Sequence, residues 1–285
     1  DKPAGMTSHD VVSRVRRLAG TKKVGHAGTL DPMATGLLLL GVNRATRLLT
    51  YLVGADKTYL ATIRLGQATV TDDAEGELTG APGIGEVDDQ SLRSAVGNLT
   101  GPIEQVPSAV SAIKVDGKRS YARVRAGEEV ALAARPVTIH AFDVRAIRPG
   151  EAAGTPVLDL DVRVRCSSGT YIRALARDLG IALGSAGHLT ALRRTQVGDF
   201  AVEAAQSLAE MADGVAPLGM SEVARRTLPV RDLTDEEVTE LRYGRGIAAS
   251  AADGVRAAFA PDGHVVALVT DKGDRARPVL VLDPA

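Results

Sequence analysis

Residues 24–36 read VGHAGTLDPMATG, and LLLLG follows directly. Two side chains in that stretch can do acid–base or nucleophilic chemistry, His26 and Asp31. Gly25, Gly28 and Gly36 let another molecule approach the backbone closely. Pro32 biases Asp31 toward an extended conformation and removes an amide, so no helix runs through the segment. Asp31 therefore either caps a turn or presents a carboxylate to a ligand. His26 alone does not discriminate. No HxH, HExxH or Cys cluster accompanies it, so a zinc site is not expected. Asp72, Asp73 and Glu75 form an acidic turn that either holds a divalent cation or is simply solvated. The chain contains neither GxxxxGK[ST] nor GxSxG, so a glycine-rich nucleotide cradle is not expected.

The elements around these residues follow from periodicity. Apolar Val11, Val12, Val15 and Leu18 predict a helix over 8–19, with Ser8 as its cap and Gly20 as its stop. A loop over 21–36 then leads into a buried strand at 37–42. Residues 57–66 alternate, with Tyr59, Ala61, Ile63 and Leu65 on one face, and predict a strand. The acidic turn and a polar helix near 88–98 come next. Residues 101–135 are long, partly basic and weakly periodic, as a functional insertion would be. Residues 157–166 alternate again, and SSG leads into a helix over 170–183 with Tyr171 and Arg173 in its first turn. Cys166 reads as an inert core residue. From about 228 a short strand, a helix, a Gly-rich turn and three short strands predict a small β-barrel.

Composition narrows the class. The chain has 285 residues, 45% apolar and 24% charged, which suits one large globular domain or one with a small companion. No stretch approaches the roughly 20 apolar residues of a membrane span. A single cysteine excludes an intrachain disulfide and fits a reducing compartment, so a cytoplasmic location is expected. The chain opens at Asp1 rather than Met, and further N-terminal residues are expected. Net charge is −1, yet it is segregated. Residues 1–50 carry eight Lys/Arg against three Asp/Glu, 111–148 eight against four, and 161–199 six against three, whereas 71–104 carry one against eight. Gathered on one face, the basic blocks would form a groove for a polyanion; dispersed, they are solvated faces. Aromatics make up only 3% with no Trp, which argues against a multi-ring stacking platform.

Six segments, in register, resemble the TruB family of tRNA pseudouridine synthases, which isomerise the T-loop uridine at tRNA position 55. DKPAGMTSHDVV resembles the family's KPxGxTS opening, and GHAGTLDPMATGLLLLGV its GHxGxLDPxAxGxL block. KTYLATIRLGQATVTDDAEG resembles its K-x-Y strand and LGxxTxTxDxxG continuation. VPSAVSAIKVDGKRSYARVRAGEEV, CSSGTYIRALARDLG and HLTALRRTQVG resemble its insertion, SxGTYIR and LxRxxxG elements. The blocks cover about residues 1–200, and the C-terminal portion resembles a shortened PUA-like domain.

The resemblance implies an α+β pseudouridine synthase fold with a central, largely antiparallel sheet, plus a small C-terminal PUA-like β-barrel. It implies a catalytic domain over 1–227 with an RNA-clamping insertion at 105–130, and an RNA-binding domain over 228–285. It assigns Asp31 as nucleophile, attacking C1′ or C6 of the base or assisting elimination to a glycal. A carboxylate covered by a base loses its charge unless a cation stands beside it, and the SGTYIR element supplies Arg173, so an Arg173–Asp31 ion pair is expected. Tyr59 is implied to pack on the flipped uracil and to take its C5 proton. Tyr171 and Leu192 are implied to line the pocket, Asp73 to stand near it, and His26 to brace the extruded nucleotide. Lys114, Lys118, Arg119, Arg123 and Arg125 would meet phosphates. The implied partner is the tRNA T-stem-loop, with no metal, cofactor, membrane or protein partner, and the chain acting as a monomer. Two other classes stay open: an RNA chaperone without chemistry, and a metal-dependent nuclease using Asp31, Asp72 and Asp73.

Overall fold

A computed structural model describes residues 1–108 and 132–285 in full, and the backbone alone at 114–115 and 118–119. The residues group into two compact units. The first comprises Asp1–Thr7, Leu30–Leu37 and Gly54–Ala205; the second comprises Ser8–Thr29, Leu38–Val53 and Gln206–Ala285.

The first unit is built on one twisted sheet. Its strands lie in the order Phe200–Ala201, Gly187–Val197, Lys57–Leu65, Thr155–Cys166, Arg135–Ala152 and Gly101–Gln105. All these neighbours are antiparallel, and the short Thr35–Gly36 strand adds one parallel pairing to Gly187–Val197. The expected alternation holds in the central Lys57–Leu65 strand, where Tyr59, Ala61, Ile63 and Leu65 are buried. Directly opposite them lie Val164, Val162, Leu160 and Leu158 of the neighbouring strand. The other face carries ion pairs instead: Arg64 grips Asp159 at 2.8 Å, Thr62 donates to Asp161, and Arg148 also pairs with Asp161. One face is thus core and the other is wet, as in an antiparallel sheet covered on one side.

The buried face is covered by the Ile172–Ala182 helix, seven of whose residues are buried, including Leu175, Ala176 and Leu179. It lies close on the start of the Gly187–Val197 strand because Gly180 and Gly187 have no Cβ; at either position one would overlap backbone of the other element. The helix starts two residues later than its periodicity predicts. Tyr171 is instead an extended N-cap residue. Its N–H donates to the Gln105 side-chain oxygen Oε1 at 2.8 Å, and its own carbonyl accepts from Gln105 Nε2 at 3.1 Å. A side-chain amide thus pairs Tyr171 as a neighbouring strand would. Cys166 is buried, which pushes its thiol up to about 11, in keeping with an inert core residue.

Four differences from the periodicity reading have identifiable causes. The segment expected as a loop over 21–36 contains a strand, Val24–Ala27, paired antiparallel with Leu39–Val42 in the second unit. Gly25 faces Gly41 in that pairing, so the alternation is too short and too poor in side chains to read. The strand expected at 37–42 begins at Leu39, because the Leu37 N–H is bound to the Arg194 carbonyl at 2.8 Å. Arg135–Ala152 is an eighteen-residue strand with shifts of register between Ile139 and Ala141 and between Val144 and Ala146, which break its alternation. Ser8 stands as the first helical residue of Ser8–Leu18 rather than as its cap, a one-residue difference at a helix end.

The second unit carries a five-stranded sheet in the order Val230–Asp232, Val255–Phe259, Val265–Lys272, Arg275–Val281 and Ile247–Ala248. It is the expected strand–helix–strands pattern with Ile247–Ala248 added. One apolar cluster contains Phe259, Leu268, Leu280 and Leu48, and a second contains Leu241, Ile247, Val266 and Val269. The Asp235–Arg242 helix opens on a capping box between Thr234 and Glu237.

Gly36 offers a test of how tightly the first unit is closed. Its φ is +102°, and a Cβ there would overlap the Arg194 backbone. Gly36→Ala is expected to cost about 2–3 kcal/mol in urea unfolding. Gly54→Ala, with nothing near its Cβ, should stay within about 0.5 kcal/mol of the parent. Equal midpoints for the two variants would show that the Gly36 contact is not tight.

Candidate active site

Three chain segments of the first unit meet at one guanidinium. Arg173, the second residue of the Ile172–Ala182 helix, is only 5% exposed in its side chain. Its Nε and Nη2 each donate to one oxygen of Asp31 at 3.0 Å, in a bidentate fork. Its Nη1 donates to the Thr71 carbonyl at 2.8 Å, and Nε lies 3.5 Å from the Asp73 carboxylate. The ion pair expected from the sequence is present, and Asp73 joins it. The two carboxylates are not equivalent. Asp73 is 3% exposed and is engaged by the Thr71 hydroxyl at 2.5 Å and the Glu75 N–H at 3.1 Å. Asp31 is 32% exposed. A buried cation with a buried acid behind it therefore presents one accessible carboxylate.

The Asp31 loop is held by main-chain groups. The Ala34 N–H donates to the Asp31 carbonyl, and the Gly5 N–H to that of Pro32 at 2.9 Å. Lys2, 2% exposed, donates its ammonium to the carbonyls of Pro3, Met6 and Pro32. The segment 69–76 is held on the Gly187–Val197 strand, where the Leu189 N–H donates to the Asp72 carbonyl at 3.0 Å. Burial raises the Glu75 carboxyl above its ordinary range, and the charge of Asp73 adds to that.

Two phenols feel this centre. Tyr59 is 7% exposed. Burial raises its hydroxyl above the usual tyrosine value; the Arg194 charge and a hydrogen bond to Arg194 oppose the rise, and the Asp31 charge adds to it. The Tyr171 hydroxyl is also raised by burial, against the charges of Arg135 and Arg173. Leu192, buried, lies opposite Ala61 on the strand that places Arg194 opposite Tyr59. Asp31, Tyr59, Asp73, Tyr171, Arg173 and Leu192 thus all belong to the first unit. His26, half-buried on Val24–Ala27 and paired with Leu40, belongs to the second. The side chains of Lys114, Lys118 and Arg119, and Arg123 and Arg125 altogether, lie outside the described residues.

Some site residues escape sequence reasoning. Lys2 is open, from the sequence, to a structural or a ligand-side role and stays unassigned, because carbonyl acceptors carry no residue-type signal; its ammonium holds the carbonyls of Pro3, Met6 and Pro32. Gln105 grips Tyr171 from 66 positions away. Arg194 had a legible signal: it stands two residues after Leu192, and period two puts both on one strand face. The nuclease geometry is not formed: Arg173 lies between Asp31 and Asp73, and Asp72 turns to Arg177 at 3.3 Å. Among the described residues no group of three acidic, His or Cys side chains converges as metal ligands. A groove of about 440 Å³ lies between the Asp89–Asn98 helix and the Arg135–Ala152 strand, but it contains none of the candidate residues.

Comparison with known proteins follows the same lines. The family described as "TruB family pseudouridylate synthase (N terminal domain)" matches residues 16–172. C-terminal families of tRNA pseudouridylate synthase B and tRNA pseudouridine synthase II match 173–229 and 228–283. A tRNA pseudouridine synthase B of Arthrobacter sp. (strain FB24) is 63% identical over 294 residues, covering 100% of this chain and 95% of that protein. One of Mycobacterium leprae (strain TN) is 56% identical over 287 residues, covering 100% and 89%. Among solved structures, an archaeal box H/ACA sRNP Nop10–Cbf5 complex has a chain with TM-score 0.71 and 25% identity, covering 100% of this chain and 85% of that one.

The fork geometry yields a prediction. Lysine cannot reach both Asp31 oxygens and the Thr71 carbonyl from one ammonium. Arg173→Lys should therefore lose about 1–3 kcal/mol of stability in denaturant unfolding. An unchanged midpoint would mean that the fork contributes nothing to the fold.

Proposed function

We infer the reaction from what the chain is: it belongs to the TruB family of pseudouridylate synthases, and it converts uridine to pseudouridine in tRNA. The target we propose is the T-loop uridine at position 55, with Asp31 as nucleophile. The observation that carries this reading is the accessible carboxylate of Asp31, held in a bidentate fork by a buried arginine.

The isomerisation breaks the C1′–N1 bond, turns the base and joins C5 to C1′. A charged carboxylate serves this by attack at C1′ or C6, or by assisting elimination. Arg173 holds Asp31 charged and oriented once the uridine covers it. Asp73 and the Thr71 carbonyl fix the other side of that guanidinium. Tyr59 packs on the uracil and accepts the C5 proton late in the cycle. Tyr171 and Leu192 bound the base, and His26 braces the nucleotide extruded from the loop. The reading needs no metal or cofactor. Residues 1–227 form its catalytic portion and 228–285 its PUA-like RNA-binding portion. The insertion at 105–130 contributes Lys114, Lys118, Arg119 and Arg123 to the phosphates of the stem-loop. The protein acts as a cytoplasmic monomer.

The central test incubates a T-arm stem-loop with wild type and Asp31→Asn, and maps pseudouridine by carbodiimide chemistry. Product is expected from the wild type alone, with RNA mass unchanged. Product from the variant removes Asp31 as nucleophile, and strand cleavage inhibited by EDTA would favour the nuclease reading. Tyr59→Phe should bind the stem-loop with wild-type affinity yet form product far more slowly; rapid turnover would remove its proton-accepting role. Affinity should fall steeply with salt, the slope of log affinity against log salt steepening by about 0.7–0.9 per phosphate neutralised. A flat response contradicts the phosphate-gripping insertion.

A further inference from the structure

Arg194 is 1% exposed, and its guanidinium has a defined environment. Its Nε donates to the Leu37 carbonyl at 2.7 Å, while its own carbonyl accepts from the Leu37 N–H at 2.8 Å. The backbone can come this close because Gly36 has no Cβ. Gly36 is bound on its other edge by Lys2, through N–H donation in both directions at 2.8 and 3.0 Å. The arginine is therefore locked to the segment that also carries Asp31. Across the sheet it lies directly opposite Tyr59, both side chains are buried, and its charge is the largest influence that opposes the rise burial gives the Tyr59 hydroxyl.

This placement answers a chemical difficulty in the reading above. A neutral phenol cannot take a proton from carbon; the hydroxyl must first give its own proton to solvent before the uridine closes the site, and burial opposes that loss. In an interior that excludes water, a phenolate forms only beside a cation. We propose that Arg194 is a positioning residue for Tyr59: it holds the phenol oxygen and supplies the charge that lets that oxygen receive the C5 proton as a phenolate. After C5 has bonded to C1′, the C5–H bond breaks and its electron pair forms C5=C6. The C6=N1 pair moves to N1, which takes up a proton. The C5 proton goes to the Tyr59 oxygen, and the phenol then releases it to N1 or solvent. No oxidant or co-reactant is consumed. The inference rests on Tyr59 as the proton acceptor and adds the residue that makes it one.

The test separates the two. Tyr59 ionisation is followed by tyrosinate absorbance in the free protein, assigned by subtracting the Tyr59→Phe titration. Single turnover is measured on a T-arm stem-loop carrying 5-deuterouridine across a pH series. Arg194→Gln should move the Tyr59 midpoint to higher pH and slow product formation at least tenfold near neutrality. The loss should shrink as pH rises, expose a deuterium isotope effect and vanish in the Tyr59→Phe background. Arg194→Lys, which keeps the charge and also guards against a misfolded glutamine variant, should retain more of the rate. Replacing tyrosine by the more acidic fluorotyrosine should restore part of what it loses. An unshifted Tyr59 titration in Arg194→Gln, or no fluorotyrosine rescue of Arg194→Lys, overturns the proposal and leaves the proton-accepting role standing. A shifted titration with unchanged rate and no isotope effect overturns both.

Discussion

A guanidinium removed from water must have its donors matched and its charge balanced, because an uncompensated buried ion costs several kcal/mol. Arg173 is under that constraint, and much of the first unit is arranged to meet it. The 69–76 segment turns so that Thr71 offers its carbonyl and Asp73 its carboxylate. The 30–37 segment brings Asp31 to the remaining donors. The Ile172–Ala182 helix must begin where Arg173 can reach all three, and the Gln105 amide sets that start by pairing with Tyr171. Asp31 then has its direction decided by a buried group. This is preorganisation: the carboxylate is oriented by the fold before any ligand arrives.

The same economy governs the other arginines of the first unit. Arg64, Arg148, Arg163 and Arg165 pair with Asp159, Asp161, Asp143 and Asp56, and Arg193 pairs with Asp1. Arg177 is divided among Asp72, Asp178 and the Val106 carbonyl. Five of the six arginines in the basic block at 161–199 are thus ion-paired within the fold. In a sheet wet on one side, alternation brings opposite charges face to face on that side, where each pair contributes little alone but keeps the register. Sequence charge counts cannot separate such pairs from a binding face, since the pairing depends on which strands are neighbours.

Legibility in the sequence followed local regularity. Lys57–Leu65 and Thr155–Cys166 alternate without interruption and were readable as strands. Arg135–Ala152 and Gly187–Val197 carry shifts of register and were not. Val24–Ala27 was hidden because a glycine takes one of its four places. Among site residues, Asp31, Arg173 and Tyr59 were reached through motif blocks, and the ion pair between the first two through an argument about charge. Gln105 and Arg194 were missed because each acts on backbone groups far away in the chain, with no partner of opposite charge to suggest it, and Lys2 stayed unassigned because its partners are carbonyls.

The sequence by itself determined the cast: a carboxylate in a glycine-rich loop, an arginine opening a helix, a tyrosine on a regular strand, and the family to which those blocks correspond. These are properties of residue type and short spacing, which local sterics and periodicity express directly. Only the tertiary structure decided that Asp31 is accessible while Asp73 is buried, and that both share one guanidinium. It alone put Arg194 against Tyr59. The reason is physical: burial, charge pairing and strand register are set by groups brought together from distant parts of the chain, and no local pattern carries them.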